Sequence, residues 1–231
     1  MRTVLLHGFT GGRDTFAHLG LDAATPELPG HGDAADAVSW SHTLDALLPF
    51  LEPGPVVLGG YSMGARLALA LALRYPDKVA RLVLASGTAG IEDAAARVAR
   101  RAEDEARARF VEQHGVAEFL DRWEEHPTLA SLKRFAPQLR AQRLRHRPGG
   151  LASALRHLGT GAMPPLWAQL SGLPARVTLL AGADDARFTA EARRMGSLLP
   201  AAEVRILERC GHAPHLERPE EFSRAITGGE P

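Results

Sequence analysis

Hydrophobic residues along this chain fall into two kinds of run. Short, nearly unbroken stretches occur at Thr3-Val4-Leu5-Leu6, Pro55-Val56-Val57-Leu58, Val79-Ala80-Arg81-Leu82-Val83-Leu84-Ala85 and Ala175-Arg176-Val177-Thr178-Leu179-Leu180-Ala181. Their length and β-branched content suit strands buried on both faces. Between them the apolar residues recur at helical spacing, as in Trp40, Leu44, Leu47 and Leu48 within Ser39 to Phe50, or fill a Leu/Ala run from Leu67 to Leu73. Ala23-Ala24-Thr25 reads as a weaker strand that breaks into the Pro29-Gly30 turn, and Glu203 to Leu207 as a last strand. Strands alternating with helices predict an α/β fold with a mostly parallel, doubly wound sheet.

That rhythm stops in the middle of the chain. From about Ile91 to His157 the sequence is helical, polar and rich in arginine, with no strand candidate. The expected organisation is a core of residues 1–87 and 164–231 with a helical cap, residues 88–163, inserted over the carboxyl ends of the strands, where open α/β sheets bind ligands. A solvated amphipathic bundle without chemical consequence is the alternative reading of the same pattern.

Two strand ends carry candidate chemistry. Val56-Val57-Leu58-Gly59-Gly60-Tyr61-Ser62-Met63-Gly64 passes straight into the Leu67 to Leu73 run, which is strand, sharp turn, helix around Gly-x-Ser-x-Gly. A serine on such a turn is pushed out at the sheet edge, and Gly60 and Gly64 leave room where a Cβ would collide. The loop His7-Gly8-Phe9-Thr10-Gly11-Gly12 matches neither a Walker A nor a dinucleotide fingerprint, so nucleotide binding is not expected. It can instead bring the Phe9 N–H beside the serine, to join the Met63 N–H around a developing oxyanion. His7 reads as a hydrogen-bonded loop residue.

Further on, Gly182-Ala183-Asp184-Asp185 and Cys210-Gly211-His212 follow the last two strands, completing the chain order Ser, Asp, His. His212 would take the serine proton, and a buried carboxylate would fix its tautomer and stabilise the charged ring. Asp184 and Asp185 compete for the second role. His215 competes with His212, which its place after Cys-Gly at a strand exit favours. Cys210 reads as a small buried residue.

Composition narrows the partners. In 231 residues, 27 Lys+Arg balance 27 Asp+Glu, so no whole-molecule field points to nucleic acid or an anionic membrane. The single cysteine leaves no internal disulfide, and neither a secretory h-region after Met1-Arg2-Thr3 nor a membrane-length apolar run is present. The expectation is a cytoplasmic protein without metal or cofactor, since no ligand spacing is clustered. No oligomeric state follows, and a monomer suffices.

His7-Gly8-Phe9, Leu28-Pro29-Gly30-His31-Gly32, Gly60-Tyr61-Ser62-Met63-Gly64, Asp185 and Gly211-His212 resemble the α/β-hydrolase superfamily over nearly the whole chain. More narrowly, Gly60 to Arg66, Ser86 to Arg101, Trp123 with Pro127 and Ser131-Leu132, and Leu144-Arg145 resemble the 2-succinyl-6-hydroxy-2,4-cyclohexadiene-1-carboxylate synthases of menaquinone biosynthesis. The chain departs from the pattern in opening without antiparallel strands before the His-Gly loop, and in having Glu27 where an aspartate is common. The resemblance implies a Ser62, Asp185, His212 triad and puts Tyr61, Arg66, Arg100, Trp123 and Arg145 at substrate-contacting positions. It also implies a polycarboxylate small-molecule substrate and a lyase step in which Ser62 acts as base and pyruvate leaves. An ester or thioester hydrolase working through a Ser62 acyl-enzyme would use the same triad.

Arg66 bears on that choice through physics alone. It lies one helical turn after Ser62 in an Ala/Leu helix, where an unpaired guanidinium would be costly. A substrate carboxylate or a protein carboxylate must answer it. Trp123 can equally be a cap-core residue.

Overall fold

The computed structural model describes residues 1–229. Six strands, β1 (Thr3–Leu6), β2 (Ala23–Ala24), β3 (Val56–Tyr61), β4 (Val79–Ala85), β5 (Arg176–Gly182) and β6 (Ala202–Leu207), form one sheet in the order β2-β1-β3-β4-β5-β6. Every pairing among the described residues is parallel, where the sequence led us to expect a mostly parallel sheet.

Neighbouring residues on each strand serve opposite layers, as a two-residue repeat requires. Leu6, Leu58, Leu84 and Leu179 meet α1 (Trp40–Leu47) and α2 (Met63–Arg74) through Leu44, Leu47, Leu67 and Leu71. Leu5, Val83 and Leu180 face the other way, towards Phe222, Ala225 and Ile226 near the end of the chain. Both faces are covered, which is why these strands read as unbroken apolar runs.

The first helix is shorter than its apolar spacing suggests. Ser39 caps it by accepting from the His42 N–H at 3.1 Å, but Pro49 lacks the donor a continuing helix needs, and Leu48–Leu51 tightens into a 3-10 turn. Leu51 therefore fills the core and Leu48 is only half-buried.

Between β4 and β5 every element is helical: α3 (Ala94–Glu124), a 3-10 segment (Pro127–Phe135), α4 (Ala136–Arg143), α5 (Pro148–Leu158) and a second 3-10 segment (Trp167–Gly172). α5 joins this layer to the core. Leu151, Ala152 and Leu155 pack with Ala108, Val111 and Phe119 of α3, while Ala154 and Leu158 join the cluster around α2. Three further helices, α6 (Ala186–Leu198), α7 (Pro214–Glu217) and α8 (Pro219–Thr227), follow β5 and β6.

Candidate active site

Ser62 stands between β3 and α2 with φ 53° and ψ −108°, a backbone state that side chains rarely adopt. A Cβ on Gly60 would collide with the Gly64 backbone, and one on Gly64 with the carbonyls of Leu6 and His7. The Ser62 N–H donates to Ala85 O at 2.8 Å, tying the turn to β4. The hydroxyl reaches His212 Nε2 at 3.2 Å, and His212 Nδ1 lies 2.7 Å from Asp185 Oδ2.

The loops after β5 and β6 bring these groups together. Asp185 is the N-cap of α6, where Oδ1 accepts the Phe188 N–H at 3.2 Å and leaves Oδ2 for the imidazole. With the carboxylate on Nδ1–H, Nε2 is free to accept from Ser62, so the buried Asp185 and His212 are set for proton removal from the hydroxyl. Asp184 is exposed, and only its N–H is engaged, with Cys210 O at 2.9 Å.

The other titratable candidates are silenced by burial. His215 packs its ring 4.4 Å from that of Tyr61, and burial, with the charges of His18 and His212 adding to it, lowers its pKa to about 3. Burial pushes the Tyr61 phenol up, keeping it neutral, and pushes the Cys210 thiol up to about 12. His7 donates from Nδ1 to Gly8 O at 2.9 Å and accepts the Leu28 N–H at Nε2 at 3.1 Å. Tyr61 covers Gly8, whose Cβ would come within 2.7 Å of the ring, so the His-Gly-Phe loop closes down on the elbow.

A cavity of about 220 Å³ opens over Ser62, lined among others by Phe9, Met63, Tyr61, Trp123 and His212. Met63 begins α2, so its N–H has no acceptor within the helix. Trp123, half-buried, sets its ring 5.2 Å from that of Phe9 and 5.9 Å from that of Phe119, so it is both cavity wall and part of the helical layer's core.

The same cavity is lined by several arginines. Arg66 is buried, donates from Nη1 to Leu158 O at 2.8 Å, and stands 5.9 Å from the Trp40 ring centroid. Among the described residues it has no carboxylate within salt-bridge distance. Burial, then the charge of Arg100, lowers its pKa to about 9. Arg100 Nε and Arg107 Nη1 share the buried Asp104, at 3.0 and 3.1 Å to Oδ1. Three guanidinium groups thus face one buried carboxylate and the exposed Glu103, and Arg143 and Arg187 line the same cavity.

Arg145 does not join them. It is largely exposed, pairs with Asp14 at 2.8 Å and faces a separate surface groove beside Arg13 and Arg147. Arg143, the last residue of α4, pairs with Glu124 at 2.9 Å and lines the cavity, whereas Arg145 lies in the turn that follows the helix. Arg107 also escaped the sequence reading, although residues 100, 104 and 107 recur on one helix face. Arg187 carried no signal beyond standing two residues after Asp185.

The alpha/beta hydrolase family matches residues 3–225. The chain belongs to that family. Among the chain's relatives is the "Putative 2-succinyl-6-hydroxy-2,4-cyclohexadiene-1-carboxylate synthase" of Bacillus subtilis, 32% identical over 97% of this chain and 88% of its own. A "Pimeloyl-[acyl-carrier protein] methyl ester esterase" of Aromatoleum aromaticum is 35% identical over 96% of this chain and 95% of its own. Of solved structures, MenH from S. aureus superposes with a TM-score of 0.88 at 31% identity, covering 98% of this chain and 92% of that one. No group of three or more His, Cys, Asp or Glu among the described residues is arranged to hold a metal ion, and no described helix is long and apolar enough to cross a membrane.

Proposed function

We propose that this hydrolase-fold protein is a lyase that eliminates pyruvate from 2-succinyl-5-enolpyruvyl-6-hydroxy-3-cyclohexene-1-carboxylate, giving 2-succinyl-6-hydroxy-2,4-cyclohexadiene-1-carboxylate. The relatives of that name over most of the chain support the reaction. The observation that carries it to this site is Arg66, a buried cation beside Ser62 with a backbone carbonyl but no carboxylate partner. One carbonyl answers only part of a guanidinium's donor set. A substrate carboxylate, bound bidentately, completes it, because Arg100 and Arg107 are already answered by Asp104 and Glu103 and leave Arg66 as the cation without a carboxylate.

In this reading His212, oriented by Asp185, draws the Ser62 proton as the serine oxygen takes one from the ring carbon. The C–H electrons form one ring double bond, the existing ring double bond shifts by one position as the ring–oxygen bond breaks, and the group leaves as the enolate of pyruvate, which is protonated to pyruvate. No water is consumed. The N–H groups of Phe9 and Met63 are the donors for the developing negative charge. Residues 88–163 serve as the cap that carries most of the cationic wall, and residues 1–87 and 164–231 as the core.

An esterase acting through a Ser62 acyl-enzyme is the second reading, favoured by the 35% identical methyl ester esterase. Given the enolpyruvyl cyclohexene carboxylate and, separately, a panel of p-nitrophenyl esters, the protein should release pyruvate rapidly and nitrophenol slowly. Arg66→Ala should weaken pyruvate release by about 2 kcal/mol or more, through loss of a charge-assisted pair in a site with little water. Fast ester turnover indifferent to that substitution, without pyruvate, would leave the esterase.

A further inference from the structure

The triad histidine sits on a loop between β6 and α7 whose backbone is held from below by a single side chain. Gly211 and Ala213 flank His212, and both of their N–H groups donate to Glu217, to Oε2 and Oε1 respectively, each at 3.0 Å. Each carboxylate oxygen also takes one donor from the 3-10 segment of the helical insertion. Ser131 Oγ donates to Oε1 at 3.1 Å and Arg134 Nη2 to Oε2 at 3.4 Å. The Glu217 side chain is only 2% exposed, so its charge is kept in the interior by these four donors.

Two further features tighten the assembly. α7 opens on Pro214, whose missing N–H costs nothing at a helix start, and the Glu217 N–H returns to Ala213 O at 2.9 Å. A Cβ on Gly211 would collide with Ser131 Oγ, so a glycine there is what lets the insertion approach the histidine loop. Glu217 does not line the cavity over Ser62, and neither do Ser131 and Arg134. Glu217 therefore reaches the cavity only indirectly, through the His212 loop and through the segment that carries Thr128, Leu129 and Leu132 to its wall.

We infer that Glu217 is a positioning residue, which fixes His212 against Ser62 and makes that alignment depend on the seating of the Pro127–Phe135 segment. An aliphatic residue would fill the same volume, yet it would leave two inward N–H groups of the histidine loop unanswered. A glutamine would answer one and set its own NH₂ against the other. In either case the His212 ring loses its fixed distance to Ser62, while every side chain that lines the cavity is retained.

The inference rests on Ser62 and His212 being the reacting pair, as proposed above, so the test uses a probe that does not depend on the lyase substrate. A fluorophosphonate should label Ser62 of the intact protein. In Glu217→Gln the inactivation rate at saturation should fall about tenfold or more, as expected for one charge-assisted hydrogen bond, with the half-saturating concentration unchanged. Ser131→Ala, which removes one insertion donor and leaves Gly211 and Ala213 paired, should slow labelling by about threefold with the melting temperature kept, and the two changes should be non-additive. If Glu217→Gln does not fold, the slowing in Ser131→Ala alone upholds the inference. Wild-type rates in Ser131→Ala overturn it, as would a Glu217→Gln protein that is folded and labels normally or that shifts only the half-saturating concentration. Absence of labelling in the wild type would instead sink the triad reading.

Discussion

Ser62, Asp185 and His212 are delivered by three strand ends, and each carries a backbone feature that no neighbouring residue shares. Ser62 has the positive φ, Asp185 is the N-cap with a spare carboxylate oxygen, and His212 has both flanking N–H groups tied down. Ser62→Ala and His212→Ala should each remove nearly all pyruvate release while cooperative unfolding persists, since triad members act as a unit. Asp185→Asn should cost orders of magnitude in turnover through loss of the tautomer-fixing partner, and Asp184→Asn should be mild, its side chain being exposed. Comparing kcat for the two asparagine variants checks this, and a reversed ranking would contradict the 2.7 Å contact from Asp185 to His212. These residues were legible in the sequence because a strained turn and a strand exit leave local marks, in glycines and spacing. Glu217 and Arg143 were not, since their roles arise from partners such as Ser131 and Glu124, far away in the chain or on another helix, and from which side of a helix turns inward.

At the scale of elements, the apolar runs announced the sheet because a strand covered on both faces needs no polar alternation. The helical insertion announced only that it lacks strands. Its internal layout was not legible, as α3 shows. Gly115 lies inside this run of helix with φ 81° and ψ 172°, splitting it into two helical stretches at a point that composition does not mark. The second stretch packs Phe119 and Trp123 against Phe9, and Trp123 lines the cavity, so the break sets the aim of one aromatic wall. A Cβ at Gly115 would meet nothing within 4 Å, which makes the conformation itself the whole cost of a substitution. Gly115→Ala should therefore destabilise the protein by about 1 to 3 kcal/mol, a cost of backbone strain alone. Urea unfolding of the variant checks it, and unchanged stability would show that the break does not need glycine.

Across the whole molecule, three histidines join pieces that lie far apart in sequence. His7 leaves β1, His31 ends the Pro-Gly turn, and His146 lies between α4 and α5, with ring centroids 4.9 Å apart for the first pair and 5.3 Å for the second. Each holds backbone through a neutral ring: His7 Nε2 accepts from Leu28 N, His31 Nε2 from Thr10 N at 3.3 Å, and His146 Nδ1 from Gly32 N at 2.9 Å while its Nε2–H donates to Thr10 O. Protonation would put a donor where each ring now accepts. Burial is the leading cause that lowers all three pKa values, His7 to about 4 from an ordinary 6.5, and His31 well below that ordinary value. The folded protein therefore binds these protons more weakly than the unfolded chain, so stability is full above the unfolded pKa and falls as pH drops from 6.5 towards 4. From His7 alone the loss is on the order of 3 kcal/mol once pH has passed its folded value. Much of the fall should come between pH 6.5 and 5, where most carboxylates remain charged, which separates it from ordinary acid unfolding. Because the three rings tie the Phe9 loop to the helical insertion, pyruvate release should decline over the same range as the urea midpoint. A urea midpoint that stays level from pH 7 to about 5 would mean that the trio accepts protons without loosening, against the hydrogen-bond directions its partners impose.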